Sequence, residues 1–302
     1  MRLATLIVNP VAAKAPLLES QLPQIRAILS NHGYSVSVCY TTAVEGSSQF
    51  LASATAGLSA LVLACGGDGT VHGVVQGLAL TGVTLGIIPL GTANALARNL
   101  NLPLDPLSAV KRQMNYVPRN IPLGEIAVSG QRMMFAVMAG CGPDGVLVYE
   151  LSSAGGVRLK ARFGRLAYYA HAARLFATRR WPKIDVQYRG IDSGDWFSAK
   201  AVAVMVSRVP DLGGVFSGTT PRARLTDAHL HVQVLAGPAW ISMPAWMICG
   251  RLGLKNRWLH TVEASEVECG GEGVFAQADG EPLGRLPMSV RIVENALSLL
   301  MP

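Results

Sequence analysis

Two short apolar runs that stop abruptly in glycine and small polar residues constrain this chain more than any other feature. Leu61–Thr70 reads LVLACGGDGT, and Leu85–Leu100 reads LGIIPLGTANALARNL. Apolar runs of this length, bounded by turn residues, suit central strands of a parallel sheet, where both faces are buried. In open α/β sheets the ligand-binding groups lie just past the carboxyl ends of such strands. Two glycine-rich turns from one sheet are therefore expected to face one ligand, and their chemistry suits a phosphate.

In the first turn, Gly66, Gly67 and Gly69 are expected to free the backbone and to let a ligand approach the main chain. Thr70 opens a segment to Leu80 with apolar residues at intervals of three and four, so a helix is expected there. Its amino end favours an anion. Asp68 is the odd residue. A carboxylate beside a phosphate is repelled unless it binds a metal, orients a hydroxyl or accepts backbone N–H bonds. The second turn offers Gly91, the Thr92 hydroxyl and the Asn94 amide ahead of a short helix. Asn9 ends the first strand, Leu3–Val8, where the sheet would bring it near Asp68. No glycine is followed by the Lys of a Walker A loop, and G-x-G-x-x-G is absent after the first strand. The protein-kinase set is also missing.

The chain resembles the diacylglycerol-kinase catalytic family, in particular the bacterial soluble lipid kinases related to sphingosine and ceramide kinases. The resemblance rests on VNPVAAK (Val8–Lys14), CGGDGTVHGVVQGL (Cys65–Leu78), PLGTANALARNL (Pro89–Leu100) and ADGEPLG (Ala278–Gly284). Weaker matches are AGCGPDGVLV (Ala139–Val148) and FGRLAYYAHAARLF (Phe163–Phe176). It implies an ATP- and Mg2+-dependent phosphoryl transfer to a lipid hydroxyl, with diacylglycerol as the default acceptor and ceramide, sphingosine-like bases or a glycolipid left open. Asn9, Gly66, Gly67, Gly69, Thr70, Gly91, Thr92 and Asn94 would bind nucleotide. Asp68 and Glu281 would be catalytic, and Asp279 structural or metal-linked. Two readings stand beside this one: an NAD-kinase-like kinase of a soluble substrate, and a non-catalytic nucleotide- or lipid-binding protein. The chain departs from the family at Ala95, at Pro122 and at Thr226-Asp227-Ala228, three positions where acidic residues are usual, which bears on how magnesium is held.

The first third alternates strand and helix patterns, as in a doubly wound parallel sheet. After Val117 strand-like runs dominate, which predicts a mainly antiparallel β-sandwich. The expected domains are 1–120, with a returning strand at 294–302, and 121–293. One long helix, near Val157–Thr178, is expected to interrupt the second. The sequence has 50% hydrophobic and 15% charged residues and no run near the roughly 18 apolar residues of a membrane span. Its five cysteines form no C-x-x-C pair, and free thiols in a reducing cytoplasm are expected. Its six histidines show no i, i+4 pair and no neighbouring Cys, which argues against zinc.

The net charge of +7 is concentrated. Arg158, Lys160, Arg162, Arg165, Arg174, Arg179, Arg180 and Lys183 lie between Leu151 and Ile184 without an acid. Ala228–Val262, also free of acids, carries Trp240, Trp246 and Trp258. A peripheral enzyme that docks on an anionic membrane surface is expected, with no nucleic-acid partner, since no recognition motif accompanies the charge. A homodimer is compatible with the sequence.

Overall fold

The computed structural model describes residues 1–152, 181–212 and 222–302. The expected helix at Val157–Thr178 lies outside them, together with the arginines at 158, 162 and 165. The described chain divides into two compact units, Met1–Leu123 with Val293–Pro302, and Gly124–Ile292.

The first unit is a parallel α/β sheet. Its strands are β1 (Arg2–Val8), β2 (Tyr34–Tyr40), β3 (Leu61–Gly66) and β4 (Thr84–Pro89). Helices α1 (Ala15–Asn31), α2 (Ser47–Ala56), α3 (Asp68–Leu78), α4 (Ala95–Asn99) and α5 (Pro106–Gln113) connect or follow them. β1 pairs in parallel with both β2 and β3, and β3 pairs with β4. The end of the last strand, β15 (Met288–Met301), adds to β4 through Ser298 and Leu299. β3 is buried at every position, which explains its continuous apolar run. Strand order 4-3-1-2 has one consequence for function. The chain leaves β1 toward β2 and leaves β3 toward β4, in opposite directions. A crevice opens where such connections part, at the carboxyl ends of β1 and β3.

Local sequence sets the helix ends. α5 begins at Pro106, and the preceding Asp105 accepts the amide of Ser108 at 2.9 Å. A hydrogen bond from Gln21 Nε2 at 3.0 Å, aided by those from Ser108, holds the Asp105 carboxyl below the usual carboxylate range. Lys14 ties the loop after β1 to the same corner, its Nζ donating to Leu104 O at 2.7 Å.

The second unit is an antiparallel β-sandwich. β7 (Met138–Cys141), β10 (Ala203–Ser207), β11 (Leu230–Leu235) and β12 (Leu259–Gly270) form consecutive antiparallel pairs. The hairpin β13 (Phe275–Ala278) and β14 (Glu281–Arg285) joins at β7. β8 (Ile184–Gly190) and β9 (Trp196–Ala201) form a hairpin on β12. β5 (Val117–Val128) pairs with β6 (Gln131–Phe135). β12 shifts register between Ala264 and Glu266, a bulge that lets one long strand serve two sets of neighbours. Phe135, Val204, Val232, Val267 and Val290 lie in its buried core.

Several elements differ from the sequence expectation. The run Ala199–Ser207 is two strands, broken at Val202. Met133–Met138 ends at Phe135, and a new strand starts at Met138. Two helices were not expected: α6 (Pro143–Ser152) and α7 (Ala239–Leu252). α7 contains Pro244 and little polar contrast, which hid it from a search for helical periodicity. All five cysteines are free, and Cys65, Cys141 and Cys269 are buried. Among the described residues no helix is long and apolar enough to cross a membrane.

Candidate phosphate site

The crevice at the ends of β1 and β3 holds a cavity of about 370 Å³ within the first unit. Asn9 and Ala12 line it from the loop after β1, and Gly67, Gly69 and Thr70 from the turn after β3. Gly91 borders it from the turn after β4. Thr41 and Thr42 from the end of β2, and Ser47 and Ser48 from the first turn of α2, complete the wall. Sequence reasoning missed these four hydroxyls. The signal was there: a Thr-Thr pair at a strand's carboxyl end and a Ser-Ser pair opening a helix. The amino ends of α2 and α3 both border this space, so free amides and two helix dipoles favour an anion in it.

The glycines act through space rather than torsion. Gly67 has φ −89°, a value open to any residue, and no positive φ occurs at Gly66. The expectation that these positions need special dihedrals is thereby corrected. A Cβ on Gly66 would lie 2.3 Å from Thr70 Oγ1, because that hydroxyl folds under the turn. A Cβ on Gly91 would lie 2.5 Å from Gly67 Cα. The two turns thus touch glycine to glycine.

Asp68 fastens that contact. Its Oδ2 accepts the amide of Asn94 at 2.9 Å, and its Oδ1 accepts the amide of Ala95 at 2.6 Å. Of the three ways for a carboxylate to remain beside a phosphate, the structure displays the acceptance of backbone N–H bonds. Asn94 is buried and left-handed at φ 50°, ψ 52°. Its Oδ1 accepts the Gly91 amide at 3.0 Å, and its Nδ2 donates to Gly91 O at 2.7 Å. That side chain, expected to reach the nucleotide, is occupied in closing its own turn. Thr92 is exposed and does not line the cavity. Asn9 spans the crevice wall, its Nδ2 donating to Thr70 Oγ1 at 3.3 Å and its Oδ1 accepting Val11 N at 3.1 Å.

Asp279 and Gly280 form the two-residue loop between β13 and β14, with φ of 48° and 88°. The Asp279 carboxylate accepts three backbone amides, from Ala136, Val137 and Met138, at 2.9–3.0 Å. It anchors the turn between β6 and β7. Glu281 follows as the first residue of β14 and is half-buried.

Residues 3–126 match the diacylglycerol kinase catalytic domain, and residues 152–301 match the YegS C-terminal NAD kinase beta sandwich-like domain. The chain is 29% identical to a diacylglycerol kinase of Bacillus subtilis (strain 168), over 100% of this chain and 97% of that one. It is 27% identical to a Klebsiella pneumoniae (strain 342) protein named "Probable lipid kinase YegS-like", over 98% and 95% of the two chains. A solved diacylglycerol kinase structure from Bacillus anthracis str. Sterne superposes with a TM-score of 0.77 at 23% identity, covering 100% of this chain and 97% of that one.

Proposed function

Because the chain belongs to the diacylglycerol kinase catalytic family, phosphotransferases with an alcohol acceptor on a lipid, we propose that it moves the γ-phosphate of ATP to the hydroxyl of a membrane diacylglycerol. The observation that carries this reading is the cavity where the turns after β1, β3 and β4 meet. It offers backbone amides, four hydroxyls and two helix amino ends to a polyphosphate, and glycine where the chains approach most closely. Phosphoryl transfer needs positioning and charge stabilisation more than strong base catalysis, and such a cradle supplies both.

In this reading the acceptor oxygen attacks the γ-phosphorus, the bond to the β-phosphate oxygen breaks, and ADP leaves. Glu281 accepts or aligns the proton of the attacking hydroxyl. Asp68 acts first as the clasp that holds the second turn against the first. Magnesium fits this donor set, because it is commonly held by one or two carboxylates plus substrate phosphates and retains waters. Asp68 would be the protein oxygen donor, since each carboxylate oxygen keeps a lone pair beyond the amide that it accepts. When bound, the ion neutralises charge between the phosphates.

The enzyme would work at the membrane surface. Among the three tryptophans, Trp246 is buried in the core and Trp258 carries the Arg257 guanidinium 4.9 Å above its ring. Of these three, Trp240 is the well-exposed one, at 69%. On α7, Ile241, Ile248 and Leu252 share an exposed stripe at helical spacing, and Leu254, Lys255 and Arg257 follow. An apolar stripe beside basic residues suits an anionic headgroup layer. The test of the whole reading is incubation of the purified protein with labelled ATP and total lipid extract, followed by mass identification of the labelled product. Labelled phosphatidic acid is the expected result. Label on another lipid would move the acceptor. Label only on NAD would overturn lipid phosphorylation.

A further inference from the structure

A second cluster of ligating side chains lies in the β-sandwich unit, at the start of β11. Asp227, His229 and His231 alternate along the chain where the loop runs into β11, which itself contains only His231. Their donor atoms all lie within 4.8 Å of one another. His231 Nε2 sits 2.7 Å from Asp227 Oδ2, and the two imidazole rings have centroids 4.8 Å apart. His229 Nε2 is buried without a hydrogen-bond partner. A fourth donor faces the group. His231 pairs with Glu263 across the β11–β12 ladder, and Glu263 Oε2 lies 3.6 Å from His229 Nε2. The two histidines are at i, i+2 rather than at helical i, i+4 spacing: His231 lies in β11 and His229 just before it.

We propose that Asp227, His229, His231 and Glu263 form a binding site for a zinc-class divalent metal ion, one that ties the loop before β11 to β12. Two imidazoles with carboxylates are the donor set of borderline metals rather than of magnesium, which takes oxygen. The backbone carbonyls of this loop are already engaged. The guanidinium of the fully buried Arg208 donates to the carbonyl oxygens of Leu225, Asp227 and His229. That brace fixes the loop in place and leaves the side chains as the natural donors. A tetrahedral ion with bonds of roughly 2.0–2.1 Å spaces its ligands about 3.3 Å apart. The His231–Asp227 hydrogen bond must therefore open by about half an ångström as the ion replaces it. His231 and Glu263 also line an open cavity of about 730 Å³, through which an ion can enter.

The test uses the full chain stripped with chelator. Zn2+ is titrated by calorimetry, metal content is measured after dialysis, and thermal unfolding is followed with and without the ion. The expected result is one Zn2+ per chain with Kd in the micromolar range or tighter, a raised Tm, and no displacement by millimolar Mg2+. His229→Gln should lower affinity at least 10-fold while leaving the melting of the metal-free protein unchanged, because His229 lies outside the ladder. Cobalt substitution adds a spectrum that distinguishes nitrogen–oxygen ligation from loose surface binding. Absence of stoichiometric Zn2+, equal binding by His229→Gln, or displacement by Mg2+ would each overturn the site. Lipid kinase activity does not enter these readouts, so the outcome is independent of the proposed reaction.

Discussion

Asp68→Asn is the most informative single change, because it removes charge and one acceptor while keeping shape. In the native turn, two carboxylate oxygens receive two backbone amides, at 2.9 and 2.6 Å. The asparagine amide presents one oxygen and one NH2 group, so one of the Asn94 and Ala95 amides meets a donor instead of an acceptor. A hydrogen bond to a charged group contributes about 1.5–3 kcal/mol, and an orphaned amide adds a desolvation cost of about 1–3 kcal/mol. Asp68 is only half-buried, so water recovers part of this, and a net loss of roughly 2–4 kcal/mol follows. For a unit of this size that lowers Tm by roughly 5–15 °C, if the turn melts with the sheet. Nucleotide must then reorder the turn before it binds, so affinity falls about 30- to 700-fold, at 1.4 kcal/mol for each factor of ten. The assays are thermal unfolding, calorimetric nucleotide binding and turnover on vesicle lipid. Turnover that collapses while Tm and nucleotide affinity stay at wild-type values would refute the clasp and place the carboxylate in the chemistry alone.

Gly91→Ala places a Cβ 2.5 Å from the Gly67 backbone, so the turns must separate and nucleotide binding should fall at least 10-fold by calorimetry, with the second unit still folded. Glu281→Gln should leave nucleotide affinity and Tm near wild type and cut turnover strongly, in a steady-state kinase assay. Asp144 is buried, and burial raises its carboxyl to about 6, opposed by the hydrogen bond from Gln277. The fold thus favours the protonated form: that contribution is fully present below the ordinary pKa of 3.8 and is lost as pH rises through about 6. Asp144→Asn should therefore raise Tm at pH 7.5 and change it little at pH 4, which differential scanning fluorimetry can check. Trp240→Ala with Ile248→Ser should weaken sedimentation with anionic vesicles without altering Tm, since both side chains are exposed.

The sequence by itself determined the parallel sheet, the two glycine turns and the family. Each depends on short-range patterns: continuous apolar runs for strands buried on both faces, and small residues where the backbone is approached. It also contained the Asp279-Gly280 turn, because a two-residue hairpin loop is a local event. Tertiary structure alone decided which side chains are free to act. Asn94 reads as a ligand from sequence, yet it is occupied with Gly91, three residues away, once its backbone turns left-handed. Asp68 reads as a catalyst, yet its two oxygens meet amides 26 and 27 residues further on. Thr41, Thr42, Ser47 and Ser48 join the cavity only because β2 is laid beside β1, which brings their loop to the same crevice. The Asp227–His229–His231 group gains Glu263 only through the β11–β12 register. Local spacing specifies elements, and the long-range strand order specifies which distant groups share a site.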